Sequence, residues 1–85
     1  MLKFDYVITD SIGMHARPAG LLVKEAGKYE SEVKISLREK VADAKKLFAL
    51  MQLGIKHGDV VCITVDGNDE ATACTNIKTF FESNL

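Results

Sequence analysis

A histidine, an arginine and a proline stand close together near the start of the chain, as His15, Arg17 and Pro18. Proline is favoured in the first turn of a helix, because its fixed φ suits the helix and its missing N–H needs no partner there. The spacing therefore predicts a helix from about Ala16 to Ala26 or Gly27, with His15 at or next to its N-cap.

The start of this predicted helix has the chemistry of an anion site. Backbone N–H groups there lack an acceptor, and the helix dipole adds partial positive charge. A phosphoryl group on His15 would place its oxygens near the backbone amide of Ala16 and the guanidinium of Arg17, and a neutral imidazole nitrogen is a nucleophile. These residues indicate phosphoryl transfer through a phosphohistidine. On the motif alone, an ordinary surface or capping histidine remains the alternative.

The predicted helix has two different faces. At about 100° per residue, one face carries Pro18, Ala19, Leu22, Val23 and Ala26, and the opposite face carries Arg17, Gly20, Leu21, Lys24 and Lys28. A leucine between cations and next to His15 predicts a docking surface for a protein partner. Gly20 costs about 1 kcal/mol relative to alanine inside a helix. Either close approach of a partner or neutral drift would account for it.

A second, short helix is predicted over Lys46 to Leu53. Its apolar side chains Leu47, Phe48, Leu50 and Met51 cover too wide an arc for one buried stripe. We assign Leu50 and Leu53 to the core. Phe48 and Met51 are then partly exposed, where adaptable apolar side chains suit protein recognition. Deep packing of the whole helix is the alternative.

The remaining segments predict a sheet and one more helix. Alternating apolar residues predict strands over Leu2 to Thr9, Glu32 to Leu37 and Lys40 to Ala44, and an apolar run predicts a fourth over Val60 to Asp66. The segment Gly67-Asn68-Asp69-Glu70 then offers a cap and first-turn acids. Helical spacing of Ala73, Cys74, Ile77, Phe80 and Phe81 predicts the final helix. The order βαββαβα predicts an α+β fold with helices on one face of a four-stranded sheet.

Composition limits the class of protein. With 85 residues, 47% apolar and 27% charged, we expect one globular domain spanning 1–85. No apolar run is long enough for a membrane span and no signal peptide is evident, which favours the cytoplasm. A net charge of −1 does not favour nucleic acid or an anionic membrane.

Neither cysteine stands at metal-ligand spacing, so we predict no metal site. Cys62 and Cys74 are both predicted to be small core residues with reduced thiols. We expect His57, which has no catalytic neighbours in sequence, to be a surface residue.

Three segments of the chain match a known family in type and spacing. They are Gly13-Met14-His15-Ala16-Arg17-Pro18-Ala19, Val23-Lys24-Glu25-Ala26, and Ala44-Lys45-Lys46-Leu47-Phe48 before Leu53-Gly54. Together they resemble the HPr family, the histidine-containing phosphocarriers of the bacterial phosphoenolpyruvate-dependent sugar phosphotransferase system. The likeness extends over essentially the whole chain.

The resemblance implies an open-faced sandwich whose sheet is antiparallel and exposed on its other face. It implies a carrier and not an enzyme, in which His15 takes a phosphoryl group from enzyme I and passes it to sugar-specific enzyme IIA domains. Arg17 and the amide of Ala16 would stabilise the phosphoryl charge. The partner surface would comprise Gly20, Leu21, Lys24, Lys45, Leu47, Phe48 and Met51. No cofactor is implied, and we expect a monomer.

Lys46 departs from the family pattern. Many Gram-positive relatives have a regulatory serine there that a dedicated kinase phosphorylates, and lysine has no hydroxyl to modify. We therefore predict that this switch is absent at position 46. Two alternatives share the fold: a regulatory binding module that relays no phosphate, against which the presence of His15 argues, and a nitrogen-related phosphocarrier with other partners.

Overall fold

The computed structural model describes residues 1–85. Its elements are β1 (Leu2–Val7), α1 (Ala16–Ala26), β2 (Glu32–Leu37), β3 (Lys40–Asp43), α2 (Leu47–Gln52), β4 (Val60–Asp66) and α3 (Glu70–Asn84). This is the predicted βαββαβα order. None of the three helices combines the length and the apolar character that crossing a membrane requires.

Several predicted bounds are confirmed. α1, β2 and β4 lie where the sequence patterns put them. Proline and glycine mark the ends of α1, alternation marks β2, and an apolar run marks β4. β1 is shorter than predicted and ends at Val7, and Lys46 and Leu53 are the caps of α2 and not part of it. Arg38 and Glu39 form the tight turn between β2 and β3, with Arg38 at a φ of 57°.

The four strands form one antiparallel sheet in the order β1-β4-β2-β3. The two central strands, β2 and β4, alternate strictly between buried and less buried residues, as a half-buried strand should. Their inward residues pair across the ladder, with Val33 opposite Val65 and Ile35 opposite Ile63. The predicted antiparallel pairing is confirmed.

The helices cover one face of this sheet. They contribute Ala19, Leu22, Ala26, Leu50, Ala73, Ile77 and Phe81 to a single apolar core, which also holds the inward residues of β2 and β4. The ring of Phe81 lies edge-on to those of Phe4 and Tyr6 on β1. The opposite face of the sheet carries no helix and presents side chains such as Lys34 and Asp5 to solvent.

The prediction that Cys62 is a core residue is wrong. Cys62 lies between two buried residues of β4, so alternation turns it to the helix-free face, opposite Asp5 and Ser36 on the neighbouring strands. Partial burial, and then the Asp5 carboxylate, raise the pKa of this thiol. Cys74, on α3, is half-buried and packs against the core. Both thiols are free.

Asp69 holds the cap position of α3 without capping the helix. Its carboxylate instead accepts from the backbone N–H groups of Glu30 and Ser31, each at 2.9 Å, and from the Ser31 hydroxyl. Ser31 is fully buried. Within the segment that was predicted to cap α3, Asp69 therefore links the start of the helix to the loop that precedes β2.

Candidate functional site

The loop that carries His15 is fixed by local hydrogen bonds. The N–H of Ile12 donates to Oδ1 of Asp10 at 2.8 Å, and the N–H of Gly13 donates to the Asp10 carbonyl at 3.1 Å. The N–H of His15 donates to the Gly13 carbonyl at 3.0 Å. Asp10 thus holds the turn through both its side chain and its backbone, in the way that aspartate favours turns.

A second set of contacts docks this loop onto the body of the protein. Gly13 has a φ of +83°, and a Cβ built on it would lie 2.6 Å from the carbonyl oxygen of Ile55. The next residue, Met14, is 6% exposed. Its N–H donates to that same oxygen at 3.1 Å. Only glycine fits position 13, because any side chain would meet both an unfavourable φ and a backbone clash.

His15 is the N-cap of α1. Its backbone is extended, with φ −92° and ψ −174°, and its carbonyl accepts the N–H of Ala19 at 3.0 Å. The N–H groups of Ala16 and Arg17 have no acceptor within the chain, no side chain caps the helix, and the first turn holds no acidic residue. Pro18 has no N–H. The helix start therefore offers two free amide donors beside the imidazole.

The imidazole of His15 lies at a shallow depression of about 350 Å³. The depression is lined by Asp10, Ile12, His15, Arg17, Pro18, Leu21, Ser83 and Asn84. Arg17 is exposed and makes no ion pair, so its guanidinium is available to an anion. His15, Arg17 and the Ala16 amide, which the sequence analysis selected as phosphoryl-transfer residues, are thus neighbours in space.

The end of α3 closes one side of the depression, which the sequence analysis missed. The main-chain oxygen of Leu85 accepts from the N–H of Asp10 at 2.8 Å and from the Thr9 hydroxyl at 3.0 Å. These bonds bring Ser83 and Asn84 beside His15, although they lie nearly seventy positions away in the sequence. No local sequence pattern predicts such a contact between distant segments. The turn at Asp10, in contrast, has a local signal, because aspartate favours a turn that ends two residues later, at Ile12.

The predicted docking residues on α1 and α2 are largely exposed. Phe48 is 77% exposed, Leu21 43% and Met51 41%, whereas Leu47 is half-buried. A Cβ built on Gly20 would meet nothing within 4 Å. The prediction that Leu50 and Leu53 belong to the core while Phe48 and Met51 do not is confirmed. The two helices pack against each other, so their exposed apolar side chains belong to neighbouring elements.

The prediction that cations surround Leu21 next to His15 needs correction, because only Arg17 among the basic residues lines the depression. Nζ of Lys45 donates to the carbonyl of Tyr29 at 2.8 Å, beyond the far end of α1. Eleven helical residues at about 1.5 Å each separate that end from His15. Lys28 lies past the helix and pairs with Glu25 at 3.0 Å. Lys24 is exposed in the last turn without an ion pair.

The second histidine and the other metal-binding residue types form no comparable site. His57 is exposed, as predicted, in the loop before β4. No group of three or more histidine, cysteine, aspartate or glutamate side chains is arranged to hold a metal ion.

Comparison with known proteins agrees with this geometry. The model of the family described as "PTS HPr component phosphorylation site" matches residues 2–83. The phosphocarrier protein HPr of Mycoplasma genitalium is 45% identical over 85 residues, which is 99% of this chain and 97% of that protein. That of Mycoplasma capricolum is 44% identical over 78 residues, covering 92% and 88%.

A solved structure also resembles the chain over nearly its whole length. It is the histidine-containing phosphocarrier protein described in a study of the divergence of Mycoplasma from Gram-positive bacteria, with a TM-score of 0.93 and 40% identity over 96% of this chain and 93% of that one. The match of sequence over nearly the whole length, and of the open antiparallel sandwich with its three helices, means that the chain belongs to the HPr family of phosphocarriers of the phosphotransferase system.

Proposed function

We propose that His15 is the residue on which this phosphocarrier holds its phosphoryl group, received from enzyme I and passed to sugar-specific enzyme IIA domains. The observation that carries the proposal is the position of the imidazole, at the start of α1 beside two amides without acceptors and an unpaired guanidinium. An incoming phosphoryl group completes the hydrogen bonding of this helix start.

The chemistry requires a bond that forms and breaks easily. One ring nitrogen of His15 bonds to phosphorus while the bond from phosphorus to the donor breaks. The N–P bond retains a high transfer potential because protonated imidazole is a good leaving group, whereas a serine ester would trap the phosphate. The amides of Ala16 and Arg17, with the Arg17 guanidinium, stabilise the charge on the transferring oxygens.

Partner proteins would contact the surface beside the depression. We place Leu21, which lines the depression, at its centre, with the exposed Phe48 and Met51 of α2 beside it. Gly20, Lys24 and Leu47 complete the proposed surface. Lys45 is left out, because the residue is half-buried and its ammonium group donates to a backbone carbonyl at the other end of α1.

The proposed carrier has no turnover of its own, since each transfer consumes the phosphoryl group on His15 and a new one must be supplied. We propose that the carrier acts as a monomer. Two free cysteines fit a reducing compartment, and we propose the cytoplasm.

Phosphorylation of the two histidines in parallel tests the proposal. The purified chain is incubated with enzyme I and labelled phosphoenolpyruvate, and acid-labile, base-stable phosphate is counted. We expect stoichiometric label on the wild type and on His57→Ala, and none on His15→Ala. Absence of label on the wild type, or retention of label by His15→Ala, would contradict the assignment.

A further inference from the structure

Asp10 is the only acidic side chain that lines the depression with His15 and Arg17. Its position is fixed, because Oδ1 accepts the N–H of Ile12 and the backbone carbonyl accepts the N–H of Gly13. A tethered carboxylate beside a group that becomes anionic is unfavourable in that state. A turn alone does not need the charge, since a neutral oxygen would accept the same N–H.

The charge of Asp10 is not neutralised by a neighbour. The salt bridges of the chain involve neither Asp10 nor Arg17, so no cation lies within 4.0 Å of this carboxylate. When His15 carries a phosphoryl group, with a charge near −2, the depression holds one cation that stabilises it and one anion that repels it. Arg17 and Asp10 therefore act on the phosphorylated state with opposite sign.

We propose that Asp10 raises the transfer potential of the phosphoryl group on His15, by destabilising the phosphorylated state relative to the free imidazole. The inference rests on the proposed role of His15. A carrier must release its phosphoryl group as readily as it accepts it, and a fixed carboxylate offsets part of the stabilisation that Arg17 and the amides provide. Asp10 is thus a positioning residue for the loop and an electrostatic one for the transfer.

The equilibrium with phosphoenolpyruvate measures this property directly. The phosphoryl group leaves the enol oxygen of phosphoenolpyruvate, an N–P bond forms on His15, and the ring proton is balanced by the proton that converts the enol to the methyl group of pyruvate. Enzyme I changes the rate of this exchange and not its equilibrium constant. The phosphorylated fraction is measured over a range of pyruvate to phosphoenolpyruvate ratios, so altered recognition by enzyme I does not affect the result.

The key variant is Asp10→Asn, which removes the charge and keeps an oxygen for the N–H of Ile12. We expect the equilibrium constant to shift about two- to fivefold toward the phosphorylated form at about 10 mM salt, the size expected for like charges that line one solvent-exposed depression. At about 1 M salt, where the Debye length is only about 3 Å, the shift should nearly vanish. Asp10→Ser, which also places a neutral side chain with an oxygen at this position, should give the same salt-dependent shift.

Two further variants separate charge from structure. Asp66→Asn makes the same chemical change at the end of the sheet beside Leu2, opposite the end that leads to His15, and should leave the equilibrium unchanged. Asp10→Ala loses both charge and turn, so it should combine the equilibrium shift with a lower unfolding temperature.

An equilibrium constant that is unchanged in Asp10→Asn and Asp10→Ser would overturn the inference and leave Asp10 a turn residue only. A wild type that takes no phosphate, or takes it elsewhere than on His15, would instead contradict the proposed function, before any variant is compared.

Discussion

The starts of α1 and α3 differ in whether acidic side chains accompany the positive end of the helix. Neither helix is capped by the side chain of its own N-cap residue. At α3 two carboxylates, Asp69 and Glu70, stand at the start and bond to neighbouring segments, whereas the first turn of α1 holds no acid. The backbone N–H groups at the start of α1 therefore remain free to bind an anion.

The hydrogen bonds at the start of α3 lower the pKa values of both of its acids. The pKa of Asp69 is lowered, first by the Ser31 hydroxyl and then by the N–H of Glu30. That of Glu70 is lowered, first by the N–H of Gly67 and then by the terminal ammonium group. The chain therefore puts permanent anions where a helix start must be fixed, and leaves the start open where a transient anion is proposed to bind.

We expect the largest effect from a substitution at the start of α1. Arg17→Ala removes the only cation of the depression, and we expect the rate of phosphoryl transfer to fall about 10²- to 10³-fold, as when one preorganised donor to a transition-state oxyanion is lost. Arg17→Lys keeps the charge without the planar fork and should lose less. Quench-flow measurement of transfer from phosphorylated enzyme I checks this.

Arg38→Ala provides the control, because it removes another exposed arginine, from the turn between β2 and β3. If Arg17→Ala transferred phosphate at the wild-type rate, the open start of α1 would not need its guanidinium, and the contrast with α3 would lose its functional meaning.

The loop before α1 should be the next most sensitive. In Gly13→Ala a methyl group meets the Ile55 carbonyl and the backbone keeps a positive φ, so we expect a loss of about 2–4 kcal/mol in the free energy of unfolding. Gly20→Ala should instead gain about 1 kcal/mol, because its new Cβ meets no atom and alanine favours the helix. Urea denaturation measures both, and effects of equal sign would contradict the docking of the loop.

Local signals in the sequence predicted the elements well. Pro18 and Gly27 mark the limits of α1, and strict alternation marks β2. The exposure of Phe48 followed from counting how many apolar side chains one face of α2 can bury. These features depend on residues a few positions apart, which share a face or a turn.

Contacts between distant segments were not predictable in the same way. The approach of Ser83 to His15 depends on how α3 packs. The position of Lys45 depends on where the chain leaves β3. Asp69 looked like a cap because its type and place suit one, yet a buried serine hydroxyl and two loop amides compete for its carboxylate. Tertiary partners outweighed the local preference there.

The closed start of α3 predicts a pH dependence of stability. Because the pKa of Asp69 is lowered in the folded state, the stability it contributes is present above its ordinary value of 3.8 and is lost as the pH falls through the lower, folded-state pKa. We expect Asp69→Asn to lower the unfolding temperature at neutral pH, and the gap from the wild type to narrow below 3.8. Melting curves by circular dichroism across this range check the sign.

Glu30→Gln is the matched control for this pH dependence. Only the backbone of Glu30 contacts Asp69, so the variant should follow the wild type at every pH. A gap between Asp69→Asn and the wild type that stayed constant in acid would mean that the carboxylate charge at the start of α3 does not contribute.

We expect the smallest effect, on the free energy of unfolding, at the start of α2, which differs from the starts of both α1 and α3. Its N-cap is Lys46, which has no oxygen to accept an N–H and places a cation at the positive end of the helix. Lys46→Ser should add about 0.5–1 kcal/mol to the free energy of unfolding by capping. Lys46→Gln, which removes the charge with a poor cap, should add only a few tenths.

Urea denaturation resolves the two variants, and equal gains would mean that charge and not capping limits α2. Phosphate uptake on Lys46→Ser should still be lost completely when His15→Ala is added. If so, a better N-cap on α2 does not create a second phosphorylation site. What distinguishes the start of α1 is therefore the imidazole and the guanidinium beside its free amides, and not the missing side-chain cap alone.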